Sequence, residues 1–297
     1  MLSPVANKTK QPRPPQSKPP KLSRAQGVLR ISLKRRGAQT VLDEFYQQGC
    51  LKARFPAIER GNTCEGVLIN TSGGLTDGDK LEQHFTWGNE TTARFTAQAA
   101  ESIYRSRHAD ARIDTRMTIG EQAHTQWLPQ ETILFNGGRL HRTNNITMAK
   151  GASLIATESL VFGRTAMSEE IIEGNIYESW RIRYDGALVF ADGFHLEGNI
   201  KDQLSRPAIG NGAKAVATLL YVGSDAPNLE KALKQACNNL ANSGTRIGCS
   251  LLSHVLVMRI LGFDGAMMRS ALGKLLQEMM MITGKTATTD LPKVWLC

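Results

Sequence analysis

The segment Asn70-Thr71-Ser72-Gly73-Gly74-Leu75-Thr76-Asp77-Gly78-Asp79 gathers more potential chemistry than any other stretch of the chain. Gly73, Gly74 and Gly78 permit positive φ angles and close backbone approach. Backbone N–H groups in such a turn can cradle an anion. Asp77 and Asp79 place negative charge in the same loop, which disfavours phosphate and favours a cation. A structural turn between strands accounts for the same residues. Two further acids stand in apolar surroundings. Glu158 opens the run Glu158-Ser159-Leu160-Val161-Phe162-Gly163-Arg164, and Asp192 interrupts Phe190-Ala191-Asp192-Gly193-Phe194. An acid among buried neighbours needs a partner, a water chain or a metal. An ion pair with an arginine, such as Arg105 or Arg164, is the plain alternative.

No familiar catalytic set accompanies these acids. The chain has no G-x-S-x-G elbow, no G-x-x-x-x-G-K-[ST] loop, no G-x-G-x-x-G, no C-x-x-C and no H-x-x-x-H. His84, His108, His124, His141, His195 and His254 are isolated from one another, whereas a tight zinc site needs about four clustered N or S ligands. A fold could still gather distant ones. An enzyme that used the glycine loop for an anionic substrate, with Asp79 as base, would lack a paired nucleophile and would have only Lys80 beside the loop. The thioethers of Met279, Met280 and Met281 read as a soft metal site or as adaptable packing in a core or interface.

The elements that must position these residues are mostly strands. Leu29, Ile31 and Leu33 alternate with Arg30, Ser32 and Lys34, the period of a half-buried strand. The pattern recurs over 111–119, and more loosely over 81–87, 91–97, 176–184 and 187–191. Gly and Asn breaks fall between these runs. The expected fold is mainly β, of α+β type: stacked antiparallel sheets of many short strands, with two helices in the C-terminal part. The first helix is expected over 228–243, capped by Asn228 and stopped by Gly244; the second begins at Asp264 and ends before Gly284. A β-rich section over 27–224 and a β/α section over 225–297 form one domain. Residues 1–26 form a separate Pro-rich tail, expected to be disordered.

The formal charge of +9 is a property of that end of the chain. Residues 1–36 hold ten Lys or Arg and no acid, so the remainder sums to about −1. Such a tail could touch nucleic acid or anionic lipid by counterion release, or simply be solvated. Five scattered cysteines fit a reducing compartment. Without an apolar leader or a run of roughly 20 apolar residues, the expected location is the cytoplasm.

Taken in order, several segments resemble the urease accessory protein UreD (UreH) family. They are Gln48 to Pro56, the Ser72-to-Asp79 loop, Ile103-Tyr104-Arg105-Ser106, Trp127-Leu128-Pro129-Gln130-Glu131, Phe162-Gly163-Arg164, and Leu291 to Leu296. The resemblance covers about residues 27–297 and implies packed, roughly perpendicular β-sheets with helices toward the C-terminus. It implies a non-enzymatic role in nickel insertion, with the accessory protein UreF, the GTPase UreG recruited through UreF, and apo-urease as partners. Nucleic acid and membrane are not expected partners. It also implies transient Ni²⁺ and no tightly bound cofactor, because separated carboxylates in a wet passage hold a dication weakly, whereas thiolates and imidazoles would grip it. By motif, the passage acids are Asp79, Glu158 and Asp192, with Glu101 and Asp77 as further candidates. Asp77 stands where the family usually has glycine. A docking face for UreF is expected around Met267 to Met281, including Met267, Met268, Met279 and Met280.

Overall fold

The computed structural model describes residues 24–56, 63–164, 169–285 and 289–296. The expected tail lies outside them, except that Arg24, Ala25 and Gln26 are docked and the first strand already starts at Gln26.

In chain order the strands are β1 (Gln26–Arg36), β2 (Gln39–Gly49), β3 (Leu51–Arg54), β4 (Cys64–Asn70), β5 (Lys80–Trp87) and β6 (Thr92–Ala97). Next come β7 (Glu101–Ile103), β8 (Ala111–Ile119), β9 (His124–Leu128), β10 (Thr132–Leu134), β11 (Arg139–Met148) and β12 (Ser153–Phe162). The last are β13 (Glu173–Tyr184), β14 (Ala187–Asn199), β15 (Ala215–Val222), β16 (Thr245–Leu252) and β17 (Val255–Gly262). Helices are α1 (Ile200–Ser205), α2 (Ala226–Leu240) and α3 (Gly265–Thr283), with a 3-10 turn at Lys293–Leu296. The chain is thus mostly β, with two helices in its C-terminal part, as the alternating patterns predict.

The strands form two sheets. One has the order β14-β13-β11-β8-β5-β1-β2; the other runs β16-β17-β15-β12-β9-β6-β4-β3, with β10 and β7 attached beside β12. The expected antiparallel pairing holds at the two ends of the first sheet, and in the second for β3 with β4 and for the run β16-β17-β15-β12. In the interior, β1, β5, β8, β11 and β13 are parallel to one another, as are β4, β6, β9 and β12. From β4 to β13 the chain swings from one sheet to the facing one and back, so each strand returns beside its predecessor in the same direction. Parallel neighbours need a crossover, usually a helix; here the crossover is a strand of the opposite sheet. Gly and Asn breaks announce a turn but not whether it leads back to the same sheet or across to the other.

Two cores hold three layers together. Between the sheets, Phe85 meets Phe95 and Trp127 with ring centroids 5.1 Å apart in each pair, within a continuous apolar cluster. On the far face of the second sheet, Leu219, Tyr221, Leu256 and Met258 pack against Leu233, Leu272, Leu276 and Met279 of α2 and α3. This explains β12, which is buried on both faces over most of its length. Asp264 caps α3 through the N–H groups of Ala266 and Met267, and Gly284 ends it at φ 60°, as predicted. The other helix starts earlier than expected. Asp225, not Asn228, is its N-cap, because Pro227 is tolerated in a first turn where no N–H partner is required; it ends at Leu240, before Gly244. Among the described residues no helix is long and apolar enough to cross a membrane.

Candidate functional site

A break in the second sheet creates the site. β6 pairs with β9, and further along β7 pairs with β10. Between them residues 98–100 and 129–131 leave the ladder, and Pro129, which has no N–H to donate, sits in that interruption. A cavity of about 230 Å³ opens there. Its outer end is lined by Gly73, Gly74, Gln98 and Ala99, and its inner wall by Glu101, Thr132, Arg142 and Glu158.

Arg142 is the centre of the inner wall. It points inward from β11, 4% exposed, and bridges both sheets. Its Nη1 lies 3.1 Å from Glu158 of β12 and donates to Thr132 Oγ1 at 2.9 Å. Its Nη2 donates to Glu178 of β13 at 2.7 Å. Asn144 Nδ2 reaches Glu158 at 3.4 Å, and Trp180 Nε1 donates to Glu178 at 3.3 Å. Within this cluster, Arg142 Nε and Asn144 Oδ1 are buried without a hydrogen-bond partner. Burial raises the Glu158 carboxyl, with Arg142 opposing. Burial also pushes Glu101 up to about 7, against the Asn70 amide that donates to it at 3.0 Å.

A second, smaller cavity of about 10 Å³ lies on the other side of Glu158. That is near the space one water needs. Its wall includes Glu178, Trp180, Asp192, Thr218 and Arg259 as well as Glu158. Asp192 is ion-paired with Arg259, which also donates to Thr218 Oγ1 at 2.9 Å. The plain alternative of an arginine ion pair thus holds for both acids, Arg259 pairing Asp192 and Arg142 pairing Glu158, while Arg105 pairs with Glu173 and Arg164 with Glu169. Glu158 thus forms part of the wall of both cavities, sharing the first with Glu101 and the second with Asp192.

The two loop acids are placed differently. Both Asp79 oxygens accept backbone N–H groups, Ala25 at 2.7 Å and Thr76 at 2.8 Å. Asp77 accepts from His108 N at 3.0 Å and Ala109 N at 2.6 Å, and pairs with Arg24 at 3.2 Å. Those N–H groups, Ala109 first, hold the Asp77 carboxyl below its usual range. Neither side chain lines either cavity. They shape the loop, whose left-handed positions are Gly73, Gly74 and Gly78, not Asp77.

The remaining motif residues support this frame. The Tyr104 hydroxyl donates to Gly73 O at 2.9 Å. A Cβ on Gly74 would lie 2.4 Å from the Tyr104 ring, and its φ of 139° is one that only glycine takes readily. Gly163, at φ 80°, lets the chain pass Glu169 O closely, while the Arg164 guanidinium stacks 4.2 Å over Phe135. Arg105 stands on the surface beside Arg107 and Arg139. Trp127-to-Glu131 and the C-terminal segment meet: Gln130 donates to Val294 O at 2.8 Å, and Arg269 ties Gln130, Glu131 and Trp295 together.

The expected methionine docking face requires correction. Met268, Met279 and Met280 are buried against the second sheet, where an amphipathic helix turns its apolar stripe. Only Met267 of the four is exposed. Among the described residues no three His, Cys, Asp or Glu side chains converge as metal ligands.

Sequence reading missed Arg142, Glu178, Asn144 and Arg259. The signal was present for the first three. Arg142 and Asn144 occupy the inward phase Leu140, Arg142, Asn144, Ile146 and Met148, and Glu178 sits between Ile176 and Trp180. Polar groups in the buried phase of a strand must face one another across the core.

Comparison with known proteins finds relatives over nearly the whole length of the chain. The sequence model of the family described as UreD urease accessory protein matches residues 25–296. "Urease accessory protein UreD 1" of a Bradyrhizobium species is 35% identical over 274 residues, covering 92% of this chain and 94% of the relative. "Urease accessory protein UreD" of a Chelativorans species is 37% identical over 283 residues, covering 93% and 96%. The protein of the same name from Magnetococcus marinus is 34% identical over 272 residues, covering 91% and 93%.

Proposed function

Because this chain belongs to the UreD family of urease accessory proteins, we propose that it conducts Ni²⁺ through its two-sheet interior to apo-urease. Membership places it in urease maturation and among accessory proteins rather than enzymes. The finer reading makes it a cytoplasmic scaffold that binds UreF, reaches UreG through UreF, and docks on apo-urease. Ni²⁺ is its transient cargo. The role needs neither nucleic acid nor a membrane.

One observation supports the passage: Glu158 lines both cavities, together with Glu101 in the first and Asp192 in the second. Carboxylates spaced in this way lower the cost of an interior dication. Oxygen donors held apart by strands cannot close into a full ligand set, so the ion is released as readily as it enters. Asp77 and Asp79 serve the same route indirectly, by fixing the loop at its mouth.

The combined variant Glu101→Gln, Glu158→Gln and Asp192→Asn tests the reading. It is expected to co-purify with UreF and apo-urease while the nickel content of the matured urease falls at least fivefold. Full nickel loading by the folded variant would reject the passage.

A further inference from the structure

Arg142 raises a question that the passage leaves open. A cationic side chain sits in the middle of the route that a dication must take, with its guanidinium shared between Glu158 and Glu178. It cannot lose its proton to make way. Replacing such a buried ion pair with apolar residues is often neutral or stabilising, so stability alone is a weak reason for it.

The surroundings are those of a cation site. Glu158 and Glu178 face each other across the guanidinium, Thr132 Oγ1 accepts from it, and Glu101 lines the same cavity. Asn144, 1% exposed, keeps its Oδ1 without a partner beside Glu158. Carboxylate, amide and hydroxyl oxygens are the donors a hard divalent ion takes, with water completing its shell. With Arg142 wedged among them, these oxygens are held apart.

We propose that Arg142 is an internal counterion standing in for the travelling cation: it fills a latent divalent-cation site formed by Glu158, Glu178, Asn144 and Thr132, and prevents that site from retaining the ion. A passing dication displaces the guanidinium from the carboxylates, and the guanidinium returns as the ion moves on, so the two carboxylates always keep a cationic partner. This deepens the passage reading and rests on it for its purpose. The latent site itself is a property of the isolated chain.

The test is equilibrium dialysis and thermal melting of the full chain with Ni²⁺ and with Mn²⁺. Arg142→Met and Arg142→Gln are each expected to bind about one ion per chain at least tenfold more tightly than the unaltered protein. Their melting temperatures should rise with added ion. Adding Glu178→Gln to either should abolish the gain, and Arg142→Lys, which keeps the charge, should show none. Binding as weak as that of the unaltered protein in both neutral variants would overturn the proposal, as would an equal gain in Arg142→Lys. If the neutral variants fold poorly, the divalent ion should restore folding; failure with and without the ion would also overturn it. The passage reading fails separately: the Glu101, Glu158 and Asp192 variant would load urease fully while Arg142→Met still gained its ion.

Discussion

Glu101 gives the site a pH signature. Its carboxyl titrates near 7 in the fold against an ordinary 4.5, because burial penalises the charged form. Below about 4.5 the group is protonated in both folded and unfolded states and costs nothing. Between about 4.5 and about 7 the folded state binds more protons than the unfolded one, so its contribution falls as pH rises through that window. Glu101→Gln removes this slope. The stability of the variant relative to the unaltered chain should improve by about 1–3 kcal/mol between pH 5 and pH 8, read from urea unfolding. A pH-independent difference would show that Glu101 is not buried as described. Asp77 does not confuse the result: its carboxyl is held low by the Ala109 and His108 N–H groups, and its contribution is lost only as pH falls below 3.8. At this scale the sequence was partly legible. Glu158 and Asp192 drew notice as acids in apolar runs, and both border the inner cavity. Asp77 and Asp79 drew equal notice, yet their oxygens serve backbone N–H groups. A glycine-rich loop with acids looks the same whether the acids face a cation or cap the loop's own amides. Arg142 and Glu178 were overlooked because each reads as an ordinary outward charge until the strand's phase is fixed.

Among the elements, the sheet break and its latch have opposite demands. The interruption around Pro129 opens the cavity, and a sheet opened in mid-ladder needs support elsewhere. The C-terminal 3-10 turn supplies it. Trp295, 7% exposed, donates from Nε1 to Thr96 Oγ1 and to Leu128 O, both at 3.2 Å, and Arg269 lies 5.4 Å from its ring centre. These contacts join β6 and β9 just before the break. Trp295→Ala is expected to cost about 3–5 kcal/mol, seen in urea unfolding. A loss below about 1 kcal/mol would mean that the turn is not part of the packed structure. Strand positions were legible from alternation, as in β1 and β8, and so were the caps of α3. The latch was not: Trp127-to-Glu131 and Leu291-to-Leu296 stand more than 150 residues apart in the chain, and no local period links them.

From β4 to β13 the chain coils between two sheets, and α2 and α3 cover one outer face. That arrangement brings β7, β10, β11, β12 and β13 around one interior space, though they span residues 101–184. The mainly β class was legible from alternation and the Gly and Asn breaks; the parallel interior was not, because a turn's residues do not state which sheet receives the next strand. The central claim is that a cation travels inside this coil. The most direct measurement leaves every charge in place and fills the outer cavity. Ala97 lines that cavity at the end of β6. With Ala97→Phe, urease matured in the presence of UreF, UreG and Ni²⁺ should carry several-fold less nickel by elemental analysis, while the variant still co-purifies with UreF and apo-urease. Full nickel content from the folded, complex-forming variant would contradict an interior route.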